Sequence, residues 1–106
     1  MELVTFERPL SEESAKEVRE QILPMVLDLI KQVTETEDGY LFDFARNDDA
    51  LPVVSQLIEV ERKVNPFLRL HLISESSAGP IKLEIDGPSG TKNFLQSEFA
   101  LSRWFS

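Results

Sequence analysis

A chain of 106 residues, 42% hydrophobic and 28% charged, has room for one folded domain and too much apolar content for a disordered acidic tail. It holds no cysteine, which excludes disulfides, zinc–thiolate sites, iron–sulfur clusters and a thiol nucleophile. With 19 acidic against 11 basic side chains the net charge is −8, and such a chain repels polyanions, so no nucleic-acid partner is expected.

Leu3-Val4-Thr5-Phe6 is an apolar, β-favouring run stopped by Pro9, which predicts a strand near residues 2–8. Ser11 followed by Glu12 and Glu13 reads as a helix start, because the hydroxyl accepts from orphan amides and the acids meet the positive end of the helix dipole. Ala15, Val18, Ile22, Met25, Val26, Leu29, Ile30 and Val33 then recur in steps of three and four. The stripe keeps phase across Pro24, so one kinked helix is expected from about 12 to 34.

Asp38-Gly39 marks a turn, and Tyr40, Phe42 and Phe44 alternate with Leu41, Asp43 and Ala45 as in a half-buried strand. Asn47-Asp48-Asp49 forms a second turn and helix cap. Leu51, Val54, Leu57, Ile58 and Val64 stripe a helix over about 49–64 that tolerates Pro52 in its first turn and stops at Asn65-Pro66.

Residues 67–73 read as a third strand, with Leu68, Leu70 and Leu72 on one side and Phe67, Arg69, His71 and Ile73 on the other. After a loop over 75–80, Ile81, Leu83 and Ile85 alternate with Lys82 and Glu84 in a fourth strand that pairs with the third as a hairpin. Ser89 or Thr91 caps a last helix lined by Phe94, Leu95, Phe99, Leu101, Trp104 and Phe105. The order β-α-β-α-β-β-α is that of a single α+β domain, residues 1–106, a two-layer sandwich whose mostly antiparallel sheet carries its helices on one face.

The acidity belongs to one half of this plan. Residues 1–50 hold 13 acidic and 5 basic side chains, and residues 51–106 hold 6 of each. This is the pattern of a solvated face, with docking of a basic protein partner as the sharper alternative. The start Met1-Glu2-Leu3-Val4 has no basic region leading into an apolar core, and no apolar run approaches the roughly 18–20 residues of a membrane span. A cytoplasmic chain with no membrane partner is therefore expected.

Among single residues, Glu61 stands out. It lies four after Leu57 and three after Ile58, inside an apolar stripe, where a carboxylate is costly unless paired; Arg62, Arg69 and His71 are the candidate partners. His71 is the only histidine, so a histidine-based metal site is not expected, and no cofactor is implied. Asp43, Arg69, His71, Lys82 and Glu84 fall on one polar sheet surface, either as cross-strand charge pairs or as the floor of a site. Carboxylate-only cation sites on Asp48-Asp49 or Glu35-Glu37-Asp38 lack the spacing of a calcium loop. Gly87-Pro88-Ser89-Gly90-Thr91-Lys92 looks like a phosphate-binding turn but has the wrong spacing for a P-loop and reads first as a strand-to-helix turn. Trp104 and Phe105, almost at the end, either pack on their own chain or offer an apolar contact for a second copy.

Three stretches carry a family resemblance: Gly39-Tyr40-Leu41-Phe42, Glu61-Arg62-Lys63-Val64-Asn65-Pro66-Phe67-Leu68, and Gly87-Pro88-Ser89-Gly90-Thr91-Lys92-Asn93-Phe94-Leu95. They resemble a family of small uncharacterised bacterial proteins with Gly-Tyr-x-Phe, Glu-Arg-x-x-x-Pro-Phe-Leu and Gly-Pro-x-Gly-x-Lys-x-Phe-Leu motifs. The similarity covers about residues 38–95. Where some members have two cysteines before the Pro-Phe, this chain has Val64 and Asn65, so thiol chemistry there is closed to it. The resemblance singles out Glu61 and Arg62 and implies no activity for them.

With no catalytic constellation, the expected function is a non-enzymatic binding or protein-interaction module, self-associating as a homodimer. The alternative is a small enzyme or ligand-binding protein using Glu61 with Arg62, Arg69 or His71.

Overall fold

A computed structural model describes residues 11–44, 50–74 and 79–105. The strand expected near 2–8 lies outside these residues, as do the cap at 47–49 and part of the loop after residue 74. Helix α1 spans Glu12–Leu29, strand β1 Ile30–Glu35, β2 Gly39–Phe44, helix α2 Ala50–Val64, β3 Arg69–Ser74, β4 Ile81–Asp86 and helix α3 Thr91–Glu98, followed by a short 3-10 turn, Leu101–Arg103.

Ser11 caps α1 as its sequence implies, its hydroxyl oxygen accepting from the Ser14 amide at 3.1 Å. Pro24 sits within the helix on its exposed side. The expected helix over 12–34 is too long. It stops at Leu29, and Ile30 both caps it and opens β1, its amide donating back to the Leu27 carbonyl. Ile30 and Val33 continue the helical stripe by spacing, yet both are buried from a strand. A bulge between Ile30 and Gln32 resolves this, because one extra residue lets two positions three apart point to the same side.

The sheet order is β1-β2-β4-β3, every neighbouring pair antiparallel. The chain thus makes two hairpins, β1–β2 and β3–β4, joined along β2 and β4. Gly39 belongs to that join: a Cβ on it would lie 1.9 Å from the Ile85 carbonyl oxygen. Val33, Phe42, Leu83 and Leu72 form one row across the apolar face, and Tyr40, Ile85 and Leu70 another. Apart from Leu72, these rows meet the helices in one core with Ala15, Ile22, Val26, Val54, Leu57, Val60, Leu95 and Phe99. The Phe42 and Phe99 rings lie 5.2 Å apart. The other side of the sheet carries Gln32, Asp43, Lys82, Glu84, Asp86, Arg69 and His71, with no helix against it among the described residues. This is the expected α+β arrangement, with helices on one face.

The last helix departs from expectation twice. Neither Ser89 nor Thr91 caps it: Gly90, at φ 95°, is the cap residue and supplies no side-chain bond. The helix also ends at Glu98, where Ala100 turns left-handed at φ 51°. Trp104 and Phe105 therefore lie beyond it rather than along it. No helix among the described residues is long and apolar enough to cross a membrane.

Candidate functional site

The structure separates the four residues that the sequence grouped. Glu61, on the buried face of α2, is fully buried, and its partner is Arg19 of α1. Arg19 donates through Nε at 2.6 Å and through Nη2 at 3.4 Å to the two carboxylate oxygens. Asn65, one turn on, donates to Glu61 Oε1 at 2.9 Å, and Arg19 Nη1 reaches Glu98 of α3 at 2.8 Å. Arg62 points outward, 3.9 Å from Glu59. Burial by itself lowers the pKa of Arg19; the hydrogen bond and charge of Glu61, then those of Glu98, outweigh it and raise the pKa above its ordinary value. The cluster ties three helices together through hydrogen bonds of its members with one another.

Arg69 and His71 lie on the far side of the sheet, on β3, the edge strand among the described residues. Each stands directly opposite an acid on β4: Arg69 opposite Asp86, with Nε to Oδ1 at 2.7 Å, and His71 opposite Glu84, with Nδ1 to Oε1 at 3.6 Å. One strand over, Lys82 faces Asp43 at 3.6 Å. The polar surface expected from alternation is thus present and includes Asp86. At these exposures each pair contributes at most about 1 kcal/mol. Their interest lies in how closely the β3–β4 register gathers His71, Glu84 and Asp86.

The turn before α3 borders a cavity of about 160 Å³ lined by residues including Glu37, Asp38, Gly87, Gly90, Thr91 and Lys92. Two carboxylates in its wall oppose an anion, and Lys92 is held by Glu35 at 2.8 Å. That leaves the phosphate-like reading of this turn without a free cation. Gly87 serves packing instead, since a Cβ there would lie 2.6 Å from Thr91 Oγ1. Glu35 accordingly serves as the surface ion-pair partner of Lys92. Trp104 packs against the core from its edge, while Phe105 is exposed with its ring 5.7 Å from that of Tyr40.

Arg19, Asn65, Glu98 and Asp86 were not singled out from the sequence, though the signal was there for three of them. Arg19 falls four after Ala15 and three before Ile22, within the stripe of α1, and Glu98 falls three after Leu95. Asp86 continues the alternation of Lys82 and Glu84. No family model, curated protein or solved structure matches the chain.

Proposed function

We propose that the chain is a small non-enzymatic protein-interaction module of the cytoplasm, acting as a homodimer joined through β3. The observation that carries this reading is a jump in exposure at the β3 end of one row of the sheet. Val33 is 8% exposed, Phe42 and Leu83 are 0%, and Leu72, at the β3 end of the same apolar face, is 38%. Among the described residues the helix layer stops short of this edge. Phe67, just before the strand, is exposed as well.

An edge strand offers unpaired amides and carbonyls to a further strand, and an antiparallel pair of identical strands is self-complementary about a two-fold axis. Strand β3, Arg-Leu-His-Leu-Ile-Ser, contains no acid and no proline. The charge that would oppose association of a −8 chain is therefore absent from the edge itself. The alternative built on Glu61 lacks comparable support, since Glu61 and His71 lie on opposite sides of the sheet.

Light scattering coupled to gel filtration tests the proposal on the full chain. A dimer that becomes monomeric in Leu72→Arg is expected. A monomeric wild type at high micromolar concentration, or a dimer that survives Leu72→Arg, overturns it.

A further inference from the structure

We propose that His71, Glu84 and Asp86 form a binding site for a divalent transition ion of the zinc class on the open face of the sheet. One donor atom from each of the three side chains lies within 4.8 Å of the other two. The backbone presets this triangle. His71 faces Glu84 across the β3–β4 ladder, and Asp86 is the next residue along β4 on the same face.

The distances fit coordination after small side-chain rotations. Ligands held at about 2.0–2.2 Å from one ion stand no more than about 4.4 Å apart. The His71–Glu84 separation is already 3.6 Å, and the His71 side chain, 61% exposed, has room to turn. Arg69 donates to Oδ1 of Asp86 and so fixes that carboxylate, as outer partners of ligands do, while Oδ2 carries no bond from Arg69.

The donor set selects the class of ion. One imidazole nitrogen with two carboxylate oxygens suits zinc, cobalt, nickel or manganese. Calcium and magnesium prefer oxygen ligands throughout. Glu84 and Asp86 supply two negative charges, the second of them shared with Arg69. A single histidine argued against a histidine-based site, but the facing acids supply the other two ligands. Water would complete the shell on the exposed side. The site would pin the edge strand to its neighbour across the polar face, and it stands whether or not the apolar edge pairs with a second copy.

The test titrates the full chain, stripped with a chelator, with zinc chloride by calorimetry and by NMR of the imidazole nitrogens. One saturable equivalent is expected, with shifts in the His71 ring and in the amides of β3 and β4. His71→Ala and Glu84→Gln should each weaken binding by more than about tenfold. Both side chains are solvent-facing, so unchanged melting curves in chelator should confirm that the variants fold. Calcium chloride should leave the His71 ring signals unmoved. Absence of saturable zinc binding overturns the proposal, as does equal affinity in His71→Ala. His71 ring signals that stay fixed as zinc is added to the wild type also overturn it, independently of any variant.

Discussion

Arg19 and Glu61, 42 positions apart, share a two-pronged ion pair between α1 and α2, with Nε to Oε1 at 2.6 Å. Breaking a buried pair by removing one member leaves the other charge uncompensated, at a cost of about 3–5 kcal/mol. Arg19 keeps Glu98, so Glu61→Ala is expected near the low end, about 3 kcal/mol, in urea unfolding. Replacing both charges by apolar residues of similar size, Arg19→Met with Glu61→Leu, should cost much less than the sum of the single changes. Additive losses would show that the two groups do not act as a pair.

Two glycines should respond to alanine for different reasons. Gly39→Ala drives a methyl group into the Ile85 carbonyl and the Asp86 backbone, which forces β2 and β4 apart. A loss of about 3 kcal/mol or more is expected, the upper end of overpacking penalties. Gly90→Ala meets no neighbouring atom within 4 Å, but φ 95° is a conformation L residues avoid. It should lose only about 1–2 kcal/mol. Thermal melts of the two variants rank them, and a reversed order would count against the close approach at Gly39.

Hydroxyl groups at the starts of two helices should behave in opposite ways. Ser11→Ala removes the bond to the Ser14 amide and should cost about 1 kcal/mol. Thr91 Oγ1 is buried and has no hydrogen-bond partner among the described residues. A methyl group of the same shape does not carry that desolvation cost, so Thr91→Val should be neutral or stabilising, by up to about 1 kcal/mol. Denaturant midpoints measure both.

The end of α1 is open to spectroscopy. Carbon chemical shifts should be helical through Leu29 and extended from Ile30 to Glu35. Helical shifts continuing to Thr34 would restore the longer helix and remove β1 from the sheet.

That boundary also shows what the sequence made legible. Tyr40-Phe42-Phe44 and Ile81-Leu83-Ile85 alternate cleanly, and both are strands. The stripe Val54-Leu57-Val64, stopped by Asn65-Pro66, is a helix. Ile30 and Val33 misled because a spacing of three is native to a helix and also arises in a strand that carries a bulge. The caps of α3 misled because a left-handed glycine can begin a helix without a side-chain oxygen. At Glu61 the need for a partner was legible, while its identity was not. Arg62, Arg69 and His71 were nearer in sequence, but the decisive neighbour came from another helix. A charge inside one apolar stripe is best matched with an opposite charge inside another, and Arg19 met that condition.

The sheet also has an order of assembly written into it. Each of its outer pairings, β1 with β2 and β3 with β4, joins neighbours in the chain and closes only a short loop. The remaining pairing, β2 with β4, joins strands separated in the chain by α2 and β3, and such non-local pairings close later than local ones. It is the long-range seam of the fold, and Gly39 opposite Asp86 is its pair most distant in sequence. Until that seam closes, the molecule is two half-sheets, each with one apolar side and no shared interior.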